Sequence, residues 1–225
     1  MDNQETINYL STYVTSERLA TLKRTLEERT GYITVALEDL FQTHNASAVL
    51  RSCDCFGIQY VNFIENKYSY MENKDVAMGS SQWLDITRYN QKENNTLDTI
   101  NALRNSGYRI IATTPHTNDV LLNDLDLSKG KIALFFGSEK PGLSDIVMQN
   151  ADEFVRIPMY GFTESFNISV SVALCLYELT KKLRDSHIDW HLSPEEKERI
   201  LLQWLKLSAR NAEGLIRIYE ARKNK

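Results

Sequence analysis

Three polar segments that follow expected β-strands contain the residues best suited to chemistry. They are residues 44–51, 137–144 and 165–167, and they hold a guanidinium, carboxamides, hydroxyls and a glycine-bearing loop. Taken singly, each has an ordinary explanation as a capping asparagine, a turn glycine or a surface arginine. Because parallel strands bring their strand-to-helix junctions to one edge of a sheet, the three together predict one ligand site there.

Several kinds of chemistry are excluded by the same segments. Residues 137–144 lack both the Gly-x-x-x-x-Gly-Lys-Ser/Thr order of a nucleoside triphosphate loop and the Gly-x-Gly-x-x-Gly order of dinucleotide sites. Of the four histidines only His44 lies in a candidate segment, and no Ser–His–Asp or Cys–His arrangement is evident. Cys53, Cys55 and Cys175 do not have the spacing of metal ligands, so we predict buried helix thiols and no metal.

Strands and helices alternate along the chain, which predicts an α/β fold with a parallel sheet. Strands are expected at residues 32–37, 59–64, 83–87, 108–113, 131–136 and 153–157, and helices at residues 16–29, 45–56 and 96–105, from Ser144 and from Ile168. Residues 131–136 are a near-continuous apolar run, typical of a parallel strand covered on both faces. Asn45 is expected to cap its helix, with Arg51 in the second turn.

Two further helical regions bear on partners. The helix expected from Ile168 is apolar on nearly every side, so it should be buried in the core or against a second subunit. Near the end of the chain, Ser193, Pro194 and Glu196 form a strong helix start, followed by one or two amphipathic helices with interleaved basic residues.

The charge of the chain is unevenly distributed. The net charge is −4, which argues weakly against a nucleic-acid partner, but from Lys181 onward 11 Lys/Arg stand against 7 Asp/Glu. Such a basic tail can contact phosphates on its own, although solvated helix faces explain it equally well. The polar N-terminus and the short apolar runs predict a cytoplasmic protein without a membrane partner.

The three segments resemble the motifs of the SpoU/TrmH family of RNA 2′-O-methyltransferases, in the SPOUT superfamily. Asn45 and Arg51 look like the first motif, residues 137–144 the second and residues 157–170 the third. The resemblance spans about residues 16–184. The flanking helices are similar to those of the branch that methylates the ribose of guanosine 18 in tRNA.

This resemblance implies a parallel α/β sheet flanked by helices, whose C-terminal part is threaded into a trefoil knot. It divides the chain into an N-terminal helical extension (residues 1–31), a methyltransferase domain (residues 32–184) and a basic C-terminal helical extension (residues 185–225). It also implies a homodimer, with residues 168–179 at the interface.

The resemblance further implies S-adenosyl-L-methionine as methyl donor, tRNA as substrate and no metal. The expected cofactor contacts are Thr113, Gly137, Ile157 and Phe166. The expected catalytic residues are Asn45, Arg51, Glu139, Ser165 and Asn167. The expected RNA contacts are His44, Lys206 and Arg210. Arg51 would hold a phosphate and stabilise the forming alkoxide, Asn45 would orient Arg51, Ser165 and Asn167 would place the RNA, and Glu139 would hold its loop.

Three other functions compete with this one. A methyltransferase acting on ribosomal RNA or on another tRNA position has the same motifs. A non-catalytic RNA-binding dimer is disfavoured because Asn45, Arg51 and Asn167 are all present. A nicotinamide enzyme is disfavoured by the missing glycine pattern.

Overall fold

The computed structural model describes residues 2–69, 79–115, 120–138 and 141–223. The chain divides into two compact units, Thr30–Trp190 and a smaller one that combines Met1–Arg29 with His191–Lys225. The three consecutive segments expected from the sequence stay a prediction. No helix in the described ranges is long and apolar enough to cross a membrane.

The larger unit contains a parallel sheet, as the sequence predicts. Its strands are β1 (Ile33–Glu38), β2 (Tyr60–Ile64), β3 (Asp85–Tyr89), β4 (Arg109–Thr113), β5 (Val120–Leu121), β6 (Ile132–Phe136) and β7 (Glu153–Arg156). In the described part of the chain they lie in the order β3-β2-β1-β6-β4-β7-β5, and every neighbouring pair is parallel. Strand β3 begins two residues later than predicted, because Ser80–Trp83 form a short 3-10 helix. The trefoil knot stays a prediction.

The helices belong to both units. They are α1 (Asn3–Ser11), α2 (Ser16–Glu27), α3 (Thr43–Cys55), α4 (Thr96–Asn105), α5 (Asp145–Asn150), α6 (Ile168–Arg184), α7 (Pro194–Ser208) and α8 (Ala212–Lys223). Helices α3 to α6 cover the sheet of the larger unit, and the other four form the smaller unit.

The side chains of strand β6 pack against helices on both faces of the sheet. All five of its residues are buried, and successive side chains point to opposite faces. Leu134 and Phe136 pack in the layer that contains α3 and α6. Ala133 and Phe135 pack in the layer that contains α4 and α5. The apolar run is therefore a central strand, as its sequence indicates.

Cysteine burial departs from the expectation in one place. Cys53 and Cys175 are buried, whereas Cys55 is exposed. Cys55 stands four residues after the exposed Arg51, so both lie on the face of α3 that points away from the sheet.

The smaller unit packs α1, α2 and α8 against α7. Helix α7 begins with the expected capping box, in which Ser193 and Glu196 each accept a backbone N–H of the other residue. Trp204 of α7 is buried, with the Arg29 guanidinium 5.3 Å from its ring centre. Helix α1 was not predicted, because Ile7 and Leu10 alone give too little periodicity.

Candidate functional site

A cavity of about 530 Å³ opens at the carboxyl ends of β4, β6 and β7. Its size lies in the range of small-molecule sites. The wall combines the end of β4, the turn after β6 and the segment between β7 and α6. The carboxyl edge of a parallel sheet is where α/β proteins bind ligands.

Five residues expected to form the site line this cavity. They are Thr113, Gly137, Ile157, Ser165 and Phe166. The Thr113 hydroxyl donates to the Phe135 carbonyl at 2.7 Å, so it is already engaged within the sheet. Phe166 is 42% exposed, which places a ring at the mouth of the cavity.

The residues on both sides of positions 139 and 140 bring backbone into the cavity wall, where Ser138 and Gly142 lie close together. The Gly142 N–H donates to the Ser138 carbonyl at 3.0 Å, and Gly142 has a φ of 89°, a left-handed value that favours glycine. A Cβ on Gly137 would lie 2.1 Å from the Gly142 carbonyl carbon, so only glycine fits there. Glu139 lies outside the described residues, and its expected role stays a prediction.

A buried carboxylate that the sequence analysis missed supports this turn. Glu38, at the end of β1, is 2% exposed. It accepts hydrogen bonds from the Ser144 N–H at 2.8 Å, the Ser144 hydroxyl at 2.7 Å and the Thr96 hydroxyl at 2.6 Å. These bonds tie the end of the turn to β1 and to the start of α4. The one sequence signal was a carboxylate ending an apolar strand, since glutamate is almost never buried unless paired.

The first and third segments meet through two asparagines. The Asn167 amide nitrogen donates to the Asn45 side-chain oxygen at 3.2 Å, and the Asn45 amide nitrogen donates to Gln42 Oε1 at 3.1 Å. Asn167 also caps α6 by accepting from the Ser169 N–H at 2.9 Å. The structure therefore joins two segments that are 122 residues apart in the chain.

The expected capping role of Asn45 is wrong. Helix α3 begins at Thr43 with Gln42 at the cap position, so Asn45 lies inside the first turn and is 5% exposed. Its side chain bonds to Asn167 and to Gln42.

Arg51 and His44 lie on α3 with exposed side chains. Arg51 stands six residues after Asn45, about 9 Å further along the helix axis, and does not line the cavity. Within the described ranges its guanidinium makes no ion pair or hydrogen bond. It is therefore open to contact by a phosphate.

The remaining polar groups define what the cavity can do. Burial raises the pKa of the Cys175 thiol to about 12, so this lining residue stays protonated at neutral pH and is a poor nucleophile. Among the residues that the structure describes, no group of three or more His, Cys, Asp or Glu is placed to hold a metal.

In the smaller unit, Lys206 and Arg210 are exposed, and Lys206 lies 3.7 Å from Glu213.

Comparison with known proteins places the chain among methyltransferases. The SpoU rRNA Methylase family model matches residues 32–177. The chain is 41% identical to the tRNA (guanosine(18)-2′-O)-methyltransferase of Borreliella burgdorferi over 91% of this chain and 92% of that protein. It is 31% identical to the protein of the same name from Aquifex aeolicus, over 85% of this chain and 90% of that protein.

A solved structure gives the same result. The A. aeolicus TrmH/SpoU tRNA modifying enzyme superposes with a TM-score of 0.74 at 29% identity, over 87% of this chain and 98% of that one. The stretch matched by the family model contains all three polar segments. The chain therefore belongs to the SpoU methylase family.

Proposed function

We propose that the chain transfers a methyl group from S-adenosyl-L-methionine to a ribose 2′-hydroxyl of tRNA, at guanosine 18. The observation that carries this proposal is that the second and third motif segments line one cavity and that the first is hydrogen-bonded to the third. Gly137, Ser165 and Phe166 line it, and the adjacent Asn167 is bonded to Asn45. Relatives that carry the guanosine-18 name match nearly the full chain.

The cavity fits the methyl donor. Its apolar lining, which includes Leu143, Met148 and Ile168, suits an adenine ring, and the turn backbone at Gly137 and Ser138 offers polar groups for the rest of the molecule. When bound, S-adenosylmethionine supplies a methyl group activated by its sulfonium. Thr113, Gly137, Ile157 and Phe166 are the residues that we expect to hold it.

Arg51 acts on the RNA in this proposal. A guanidinium has a pKa above about 12, so it is a poor base at neutral pH. Its fixed charge can instead bind a phosphate and stabilise the negative charge that develops on the 2′-oxygen as its proton leaves. Ser165 and Asn167 place the ribose, which lowers the barrier by orientation. Asn45 supports Asn167 through their hydrogen bond, and its expected role in orienting Arg51 stays a prediction.

Methylation of RNA transcripts by the purified protein tests the function. We expect the labelled methyl group to appear on the ribose of guanosine 18 in a full-length tRNA transcript. A transcript with 2′-deoxyguanosine at that position should stay unlabelled. Label in ribosomal RNA or at another tRNA position would support the competing methyltransferases, and RNA binding without transfer would support the non-catalytic dimer.

We also propose that the chain forms a homodimer through α6. Val170, Leu174 and Tyr177 are 44%, 37% and 56% exposed and stand at helical spacing on one face. Tyr177 meets Phe56, the residue directly after α3, edge to face, with ring centres 6.3 Å apart, which widens the apolar surface. Sedimentation equilibrium should give twice the mass of the 225-residue chain.

Glu38→Gln is expected to weaken donor binding more than it slows the reaction. The glutamine NH₂ group would face the Ser144 N–H and hydroxyl, two donors that now bind a carboxylate. The turn that contains Gly137 would therefore be held less firmly. A buried donor without a partner costs about 1–3 kcal/mol. We expect the Kd for S-adenosylhomocysteine and the KM for the donor to rise about tenfold, with kcat at saturating donor within about threefold.

The control for Glu38 is Glu65→Gln. Glu65 is also buried, and its carboxylate binds Arg88 and Asn90 rather than the turn. The Glu65→Gln variant should have a lower thermal stability and an unchanged Kd for S-adenosylhomocysteine. If both variants lose stability and neither changes the Kd, Glu38 is a structural carboxylate without influence on the cavity.

Lys206 and Arg210 are proposed to bind tRNA phosphates. Each alanine substitution should weaken binding and reduce the slope of log K against log salt concentration by about 1, because one counterion fewer is released. Point substitutions are preferable to removal of residues 190–225, since α7 packs on α1 and α2. Lys129→Ala is the control, because Lys129 is a cation at the amino-terminal edge of the sheet, opposite the cavity. An unchanged slope for Lys206→Ala and Arg210→Ala would contradict the proposal.

A further inference from the structure

Two large aromatic rings stand exposed at the same edge of the sheet as the site. Phe41 is 69% exposed and Tyr68 is 43% exposed. Their ring centres are 5.0 Å apart and the planes meet at 67°, an edge-to-face pair. Nothing in the mechanism proposed above uses these rings.

The pair is held by an ordered turn. Phe41 follows β1 and Tyr68 follows β2, and these neighbouring strands end at the same edge of the sheet. Asp39 links the two segments, because its carboxylate accepts the backbone N–H groups of Asn66 and Lys67, each at 2.8 Å. Asp39 has a φ of 51°, an uncommon left-handed value that allows this contact.

The same pair of rings is connected through the chain to the hydrogen-bonded side chains of Asn45 and Asn167. Phe41 directly precedes Gln42, whose side chain accepts from Asn45, and Asn45 accepts from Asn167. One cationic side chain, Lys67, and the imidazole of His44 are exposed on the same segments. Flat aromatic faces beside a cation suit a nucleobase and its phosphate.

We propose that Phe41 and Tyr68 form a stacking platform for a nucleobase within one nucleotide of the methylated ribose. This inference rests on the proposed function. An enzyme that acts on one nucleotide of a folded RNA must draw it out of its stack, and aromatic side chains compensate for the stacking that is lost. The platform supplies this compensation next to the residues that place the ribose.

A second copy of this chain is the alternative occupant. The apolar surface proposed for the dimer includes Tyr177 and its neighbour Phe56. Phe56 directly follows the C-terminal end of α3, and this end is about 18 Å along the helix axis from the start of α3. The exposed Lys67 favours an anionic partner over an apolar one.

Ring-specific substitutions test the platform. Phe41→Leu keeps an apolar side chain without a ring, and Phe41→Trp keeps a ring. With S-adenosylhomocysteine present, Phe41→Leu and Tyr68→Leu should each raise the Kd for the tRNA transcript about 5- to 100-fold, whereas Phe41→Trp should bind within about threefold of the unsubstituted protein. A 2-aminopurine beside guanosine 18 should be quenched on binding by the unsubstituted protein and not by Phe41→Leu.

The outcomes separate this proposal from the proposed function. If the unsubstituted protein methylates tRNA and Phe41→Leu binds it equally well, the platform is wrong and the function stands. If no RNA is methylated but only the ring-removing variants lose RNA binding, the rings bind a nucleobase and the proposed function is wrong. Loss of the dimer mass in Phe41→Leu would assign the rings to a second copy and overturn the platform.

Discussion

Arg51→Ala should lower kcat for methyl transfer to tRNA by at least about 100-fold. The reason is electrostatic, because the variant removes a cation proposed to face the developing charge on the 2′-oxygen, and loss of one such group costs about 10²–10³ in rate. Arg51 is exposed and does not line the cavity, so donor binding should be unaffected. Single-turnover kinetics and calorimetry with S-adenosylhomocysteine measure the two effects separately.

Arg51→Lys provides the matched control. It keeps the positive charge and loses the planar fork that binds phosphate through two parallel hydrogen bonds. We expect an activity between those of the alanine variant and the unsubstituted protein, with the same affinity for S-adenosylhomocysteine. Full activity in Arg51→Ala would rule out any role of Arg51 in the chemical step.

Gly137→Ala should weaken binding of S-adenosylhomocysteine by roughly 10- to 100-fold. The new methyl group would lie 2.1 Å from the Gly142 carbonyl carbon and 2.3 Å from the Leu143 backbone nitrogen, and backbone atoms cannot give way as a flexible side chain can. Overpacking of this kind costs about 1–3 kcal/mol, which the turn would relieve by moving out of its cavity position. Isothermal titration calorimetry measures the change.

Gly161→Ala is the control for replacing a glycine by alanine at a position without a close contact. A Cβ at Gly161 would meet only the Thr163 backbone nitrogen, at 4.0 Å. Its affinity for S-adenosylhomocysteine should therefore stay within about twofold of the unsubstituted protein. Equal affinities in both glycine variants would mean that the turn after β6 does not hold the donor.

Much of the fold could be read from local patterns. The apolar run of β6 indicated a strand covered on both faces, and the Ser193–Glu196 pattern indicated the start of α7; both are confirmed. Such signals depend on a few consecutive residues, so they survive without knowledge of distant contacts. Helix α1 was missed because its stability depends on packing against α7, almost 200 residues away in the chain.

Some residues around the site could also be identified from the sequence, and others could not. The residue types and order of the three polar segments were visible in the sequence, as was their family resemblance. Asn45 was wrongly expected to cap α3, because its partner Asn167 comes from a distant segment. Glu38 and the Phe41–Tyr68 pair were missed because isolated acidic and aromatic residues have no distinctive spacing.

The sequence alone determined that the chain is an α/β protein of the SpoU methylase family and which segments carry its chemistry. The fold class follows from periodicity and the family from the resemblance of three short motifs, and each of these signals lies within a short stretch of sequence. Only the tertiary structure decided that Glu38 supports the turn at Ser144, that Asn45 meets Asn167 and that two rings stand exposed at the same edge. Contacts between distant segments depend on how the strands are ordered in the sheet, and no short stretch of sequence encodes that order.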